Sequence, residues 1–111
     1  MAVPNFVKVA RVGEIPPGEG KLVMGPFDKP MALFNLDGRY YAINYVCPHM
    51  GGPLGEGSLE GSVVTCPWHG WTFDVRDGKA DHPGGHCVSA YETRVEGDEI
   101  LVGWLKPGSE G

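Results

Sequence analysis

Cysteine is scarce in this chain: three stand among 111 residues, too few for the disulfide framework that staples small secreted domains. Long apolar runs are missing as well. No stretch approaches the roughly 20 apolar residues that span a bilayer, and the N-terminal MAVPNFVKVARVGEI lacks a basic segment leading into an apolar one. Basic residues are in deficit and scattered, nine Lys and Arg against fourteen Asp and Glu, for a net charge of −5. That distribution excludes a nucleic-acid footprint. Together these absences predict a soluble, cytoplasmic protein that engages neither nucleic acid nor membrane. An acidic protein suits partners with basic patches, but mild acidity also serves solubility, so charge names no partner. At this length the chain makes one domain with a modest core.

Glycine and proline, by contrast, are plentiful, 18 and 10, and follow no collagen-like period. They predict many short strands joined by tight turns, with very little helix. Residues 5–12 (NFVKVARV) alternate like a strand, residues 14–20 (EIPPGEG) make a turn, and a strand follows at 21–24. Asp37-Gly38, between β-rich runs at 31–36 and 39–46, is the strongest hairpin signal in the chain. Further arms are expected at 58–60 and 62–65 around Gly61, at 71–75 and 79–81 around Asp77-Gly78, and at 88–95 and 99–104 around Gly97-Asp98. The fold class is all-β and antiparallel. Residues 1–44 and 84–111 form a base, and residues 45–83 form an inserted subdomain with two loops at its tip.

Those loops carry the chemistry. Cys47-Pro48-His49 and Cys66-Pro67-Trp68-His69 are separated by sixteen residues and supply two thiolates and two imidazoles. Such a set serves either a tetrahedral zinc or a [2Fe–2S] cluster in which two Cys hold one iron and two His the other. Zinc sites group their ligands as C-x₂₋₄-C and H-x₃₋₅-H, whereas here each loop pairs one Cys with one His.

The segments CPHMGGPLGEG (47–57) and CPWHGWTFD (66–74) resemble the two cluster-binding boxes of Rieske proteins, with every ligand in place. More loosely, nearly the whole chain is similar to the small Rieske ferredoxins that feed electrons to ring-hydroxylating oxygenases. The resemblance implies a Rieske fold and one [2Fe–2S] cluster per subunit. It assigns Cys47 and Cys66 to one iron and His49 and His69 to the other, at the exposed edge. It also implies a role as an electron carrier rather than an enzyme, with a flavin-dependent ferredoxin reductase and a terminal oxygenase as partners. A small Rieske subunit of an assimilatory nitrite reductase is the alternative.

Charge counting gives that ligand set a consequence. Two ferric ions and two sulfides sum to +2, which two thiolates cancel. The oxidised centre is therefore neutral, and it accepts an electron more readily than an all-Cys centre, within a range of roughly −150 to +300 mV. In the high-potential respiratory members of the family each box holds one further Cys, and the two form a disulfide; the matching positions here are Gly52 and Trp68. The hydroxyl donors of those proteins, two and four residues after the second His, are replaced by Trp71 and Phe73. Fewer donors to the sulfurs predict a potential toward the low end.

The remaining features are ordinary. Cys87 beside His86 is read as a small buried residue, and His82 and His86 as loop or surface residues. Gly51, Gly52 and Gly70 leave room for backbone to approach a cluster. Met50, Trp68 and Pro83, with His49 and His69, are expected at the docking tip.

Overall fold

The run PMALFNL has apolar side chains at nearly every position, which suits a strand covered on both faces. The computed structural model, which describes residues 6–46, 52–68, 70–80 and 88–105, makes it the last but one strand of a six-stranded antiparallel sheet. In chain order the strands are β1 (Val7–Arg11), β2 (Gly20–Met24), β3 (Pro30–Leu36), β4 (Arg39–Asn44), β5 (Ser58–Glu60), β6 (Val63–Thr65), β7 (Thr72–Asp74), β8 (Ala90–Glu96) and β9 (Glu99–Leu105). The large sheet runs β1-β9-β8-β4-β3-β2, and a small one runs β5-β6-β7. Among the described residues only two short 3₁₀ turns, Pro26–Asp28 and Leu54–Glu56, are helical. No helix of the described residues is long and apolar enough to cross a membrane.

Alternation along the strands sorts side chains into two cores. Met31 and Leu33 of β3, Tyr40 and Ala42 of β4, and Ile100 and Val102 of β9 meet on one face. The edge strands β1 and β2 come back toward each other there, and Ile15 from their connection is buried against that core. On the opposite face Ala32, Phe34, Ile43 and Ala90 meet Leu54, Val64, Phe73, Val75 and Val88 from the segment that carries the small sheet. The two sheets thus share no ladder but do share a core.

The hairpins follow the turn chemistry with one exception. Asp37 and Gly38 both adopt positive φ (55° and 95°), as a type I′ turn requires. The buried Asn35 side chain ties this hairpin down, donating to the Ile15 carbonyl (2.8 Å) and accepting from the Gly38 N–H (2.7 Å). Of the arm expected at residues 79–81, Asp81 lies outside the described residues, and Lys79 and Ala80 make no strand. Asp77-Gly78 is not a two-residue hairpin but part of a longer turn, in which the Gly78 N–H donates to the Asp74 carbonyl (2.7 Å) and the Asp74 N–H to the Lys79 carbonyl (2.9 Å). Only Ala80 then pairs, as an isolated bridge to Phe73.

Candidate metal centre

The first ligand loop leaves β4 through a narrow neck. Strand pairing stops at Asn44 rather than continuing to residue 46, because Val46 instead bridges to Pro53, and the Leu54 N–H donates to the Tyr45 carbonyl (2.8 Å). Leu54 is fully buried in the core between the sheets, so the descending side of the loop is nailed to that core. Gly55 lies against the Tyr45 ring, where a Cβ would come within 2.6 Å of it. The Tyr45 hydroxyl donates to Glu56 (3.1 Å), and burial, followed by that carboxylate, raises the tyrosine pKa. Residues 47–51, including Cys47, His49, Met50 and Gly51, lie outside the described residues.

The second loop joins β6 to β7. Thr65 and Thr72 form the last pair of the ladder. Beyond them the Cys66 N–H donates to the Trp71 carbonyl (2.7 Å) and the Gly70 N–H to the Cys66 carbonyl (3.1 Å). Gly70 turns the chain with φ +80°, a conformation that side chains disfavour. Cys66 is 1% exposed and belongs to the core between the sheets, while Trp68, two residues on, is 62% exposed. Phe73 is fully buried beneath the loop, with the half-buried Trp71 tilted against it at 6.4 Å between ring centroids. His69 lies outside the described residues.

The two loops meet at Gly52. A Cβ on this residue would sit 2.7 Å from Cys66 Sγ, 3.2 Å from Trp68 Cγ and 3.3 Å from Trp68 Cβ. The Cys66 sulfur therefore faces the end of the first loop, and residues 52 and 68 touch across the junction. Positions 52 and 68 match those that a disulfide joins in the respiratory members, so the sequence carried a signal for their approach; it had none for the Cys66 sulfur facing Gly52. It also had none for the Tyr45–Glu56 bond.

Of the four expected ligands the structure places Cys66; Cys47, His49 and His69 lie outside the described residues, as do His82, Pro83, His86 and Cys87. The described residues alone bring no three metal-ligating side chains together. What they show fits a cluster: a buried thiol turned toward the other loop, and backbone without Cβ beside it. On the far side Asp74 accepts from the Ser62 hydroxyl (3.2 Å), the Arg76 N–H (2.9 Å) and the Arg76 guanidinium (2.8 Å to Nη2). Those donors, led by Arg76, hold its carboxyl below the usual range.

Fold and site thus define a small antiparallel β domain that presents a cysteine between two hairpin-borne loops. The chain belongs to the Rieske [2Fe-2S] domain family, which matches residues 5–92. It is 39% identical over 100 residues to a biphenyl dioxygenase ferredoxin subunit of Pseudomonas sp. (strain KKS102), covering 88% of this chain and 91% of that one. Among solved structures, the ferredoxin-bearing complex of carbazole 1,9a-dioxygenase superposes with a TM-score of 0.81 at 29% identity, covering 88% of this chain and 92% of that one. A putative NADH-dependent nitrite reductase small subunit from Mycobacterium tuberculosis superposes with a TM-score of 0.82 at 25% identity, covering 95% and 99%. With these relatives the chain is an electron-transfer protein of the [2Fe–2S] type, not itself an oxygenase.

Proposed function

We propose that the chain carries single electrons from an NAD(P)H-dependent flavoprotein reductase to a terminal, aromatic-ring-hydroxylating oxygenase. The observation that carries this reading is its 39% identity, over nearly its full length, to a dioxygenase ferredoxin subunit. The carbazole structure, a complex of reduced oxygenase and oxidised ferredoxin, supports an oxygenase as the electron acceptor.

Cys47 and Cys66 would hold one iron and His49 and His69 the other, in one cluster per subunit. When bound, that group supplies a site for one electron. The protein's part is to hold the ligands, exclude water and expose an edge. Cys66 is anchored at the root of its loop by its backbone bond to Trp71, and the apolar core closes beneath it. Residues 45–83 then act as the cluster-binding subdomain, a division that the separate β5-β6-β7 sheet supports. His49, His69, Met50, Trp68 and Pro83 form the docking tip.

A low potential follows from residues 52, 68, 71 and 73. Gly52 and Trp68 touch but cannot cross-link, and neither Trp71 nor Phe73 offers a hydroxyl. The test is an anaerobic redox titration with iron and sulfide analysis and low-temperature EPR. Two irons and two sulfides per chain, with one electron taken up near the bottom of the Rieske range, are the expected result. A colourless zinc protein would overturn it. The superposition on a nitrite reductase small subunit keeps a second reading in play, which isolation in a stable complex with a large sirohaem-containing subunit would favour.

A further inference from the structure

Gly57 lacks a side chain for a reason other than backbone freedom. Its φ of −76° and ψ of 165° are extended backbone, a conformation open to any residue. Space is the constraint. A Cβ here would run into the Thr65 carbonyl oxygen and would lie 2.9 Å from Val64 Cγ2. At Gly55 the atoms nearest to a Cβ belong instead to the Tyr45 ring, a side chain that can turn aside. The Thr65 carbonyl has no such freedom. Thr65 is paired with Ser58 on one side and Thr72 on the other, and the next residue is Cys66, whose N–H is held by the Trp71 carbonyl (2.7 Å).

The arm that carries Gly57 is held as firmly. It descends from Gly52, which lies against Cys66 Sγ, through Leu54, which is fully buried and donates to the Tyr45 carbonyl (2.8 Å). It ends at Gly57, whose N–H donates to the Leu54 carbonyl (3.0 Å). The two ligand loops therefore touch twice, once at the Cys66 sulfur and once at their roots, where Gly57 meets the backbone of the residue before Cys66. A side chain at position 57 would push the arm and the end of β6 apart. Movement of either one opens the junction of Gly52 with Cys66.

We propose that Gly57 is a positioning residue for the cluster. Without a side chain it seats the descending arm of the first loop directly on the Thr65 carbonyl, and that seat sets how closely the two ligand loops approach. The inference rests on the reading of Cys66 as a cluster ligand and goes beyond it, since it assigns the spacing of the loops to a residue outside the ligand set.

The experiment compares holoproteins of wild type, Gly57→Ala and Leu33→Ala. Leu33 is fully buried in the core on the far face of the large sheet, so its truncation lowers global stability without touching either loop. Urea midpoint, low-temperature EPR g-values, reduction potential and the rate of iron release to a chelator are measured on each. Gly57→Ala is expected to keep the large sheet folded, to shift the g-values and the potential, and to release iron about tenfold faster, the scale on which groups behind the ligands act. Leu33→Ala is expected to unfold at lower urea with wild-type g-values and potential. A Gly57→Ala protein that has a lowered midpoint but wild-type g-values and potential is merely less stable, and that result overturns the proposal. So does a variant indistinguishable from wild type, or an equal spectroscopic shift in Leu33→Ala. Loss of the strand signal of Gly57→Ala in far-ultraviolet circular dichroism overturns it too, because a residue that only spaces the loops leaves the large sheet standing. A wild-type protein without a [2Fe–2S] spectrum fails the functional reading itself, whereas a normal wild-type spectrum with any of these overturning results fails this inference alone.

Discussion

Asp74 collects donors from Ser62 and Arg76 at the end of β7, immediately after the fully buried Phe73. Replacing it with Asn removes the charge while keeping the shape, and is expected to cost about 1–2 kcal/mol, read as a lower urea midpoint. Its carboxyl titrates below the usual range in the folded chain and near 3.9, roughly the ordinary value, when unfolded. The stability it contributes is therefore fully present above about pH 4 and is lost as pH falls through the lower folded value. Urea unfolding of wild type and Asp74→Asn should converge below that window; a constant gap from pH 7 to pH 2 would disprove the linkage. At this scale the family was legible in the two boxes, because their Cys and His spacing is local. The Asp74 network was not, since Ser62 lies across a strand pair that only the fold brings together.

At the scale of elements, the neck of the first loop and the turn after β7 hold the site in place. Leu54 is wholly buried between the sheets, so Leu54→Ala should cost about 2–5 kcal/mol by chemical denaturation and should hasten iron release by loosening the descending side of the loop. Gly78 adopts φ +77° and gives its carbonyl to the Val88 N–H (2.8 Å), and a Cβ there would run into the Val88 carbonyl. Gly78→Ala is expected to destabilise by more than about 1 kcal/mol; an unchanged melting temperature would show that the turn rearranges without strain. The strands were readable from alternation, and Asp37-Gly38 gave its turn type outright. Lys79 and Ala80 make no strand because Gly78 donates to Asp74 (2.7 Å) and Asp74 to Lys79 (2.9 Å), which closes the turn differently from a two-residue hairpin. A dipeptide signal does not carry that competition.

For the whole molecule, the shared core between the sheets reaches up to Cys66, so a bound metal would brace both loops against the same apolar interior. Removing the iron by chelation should lower the melting temperature by several degrees for each kcal/mol of stabilisation lost. Calorimetry of holo- and apoprotein checks it, and coincident transitions would mean that the base folds independently of the loops. The antiparallel architecture could be read from the turns. The order β1-β9-β8-β4-β3-β2 could not, because pairing of the first and last strands is set by closing the core and not by local pattern.

Residues 45–83 hold five acidic and two basic side chains, so the net charge of −5 gives the molecule no charged back to turn toward a cationic electrode. The exposed Trp68, whose base is fixed beside Gly52 and Cys66, is instead what bare graphite should capture, which would bring the redox centre within tunnelling distance of the carbon.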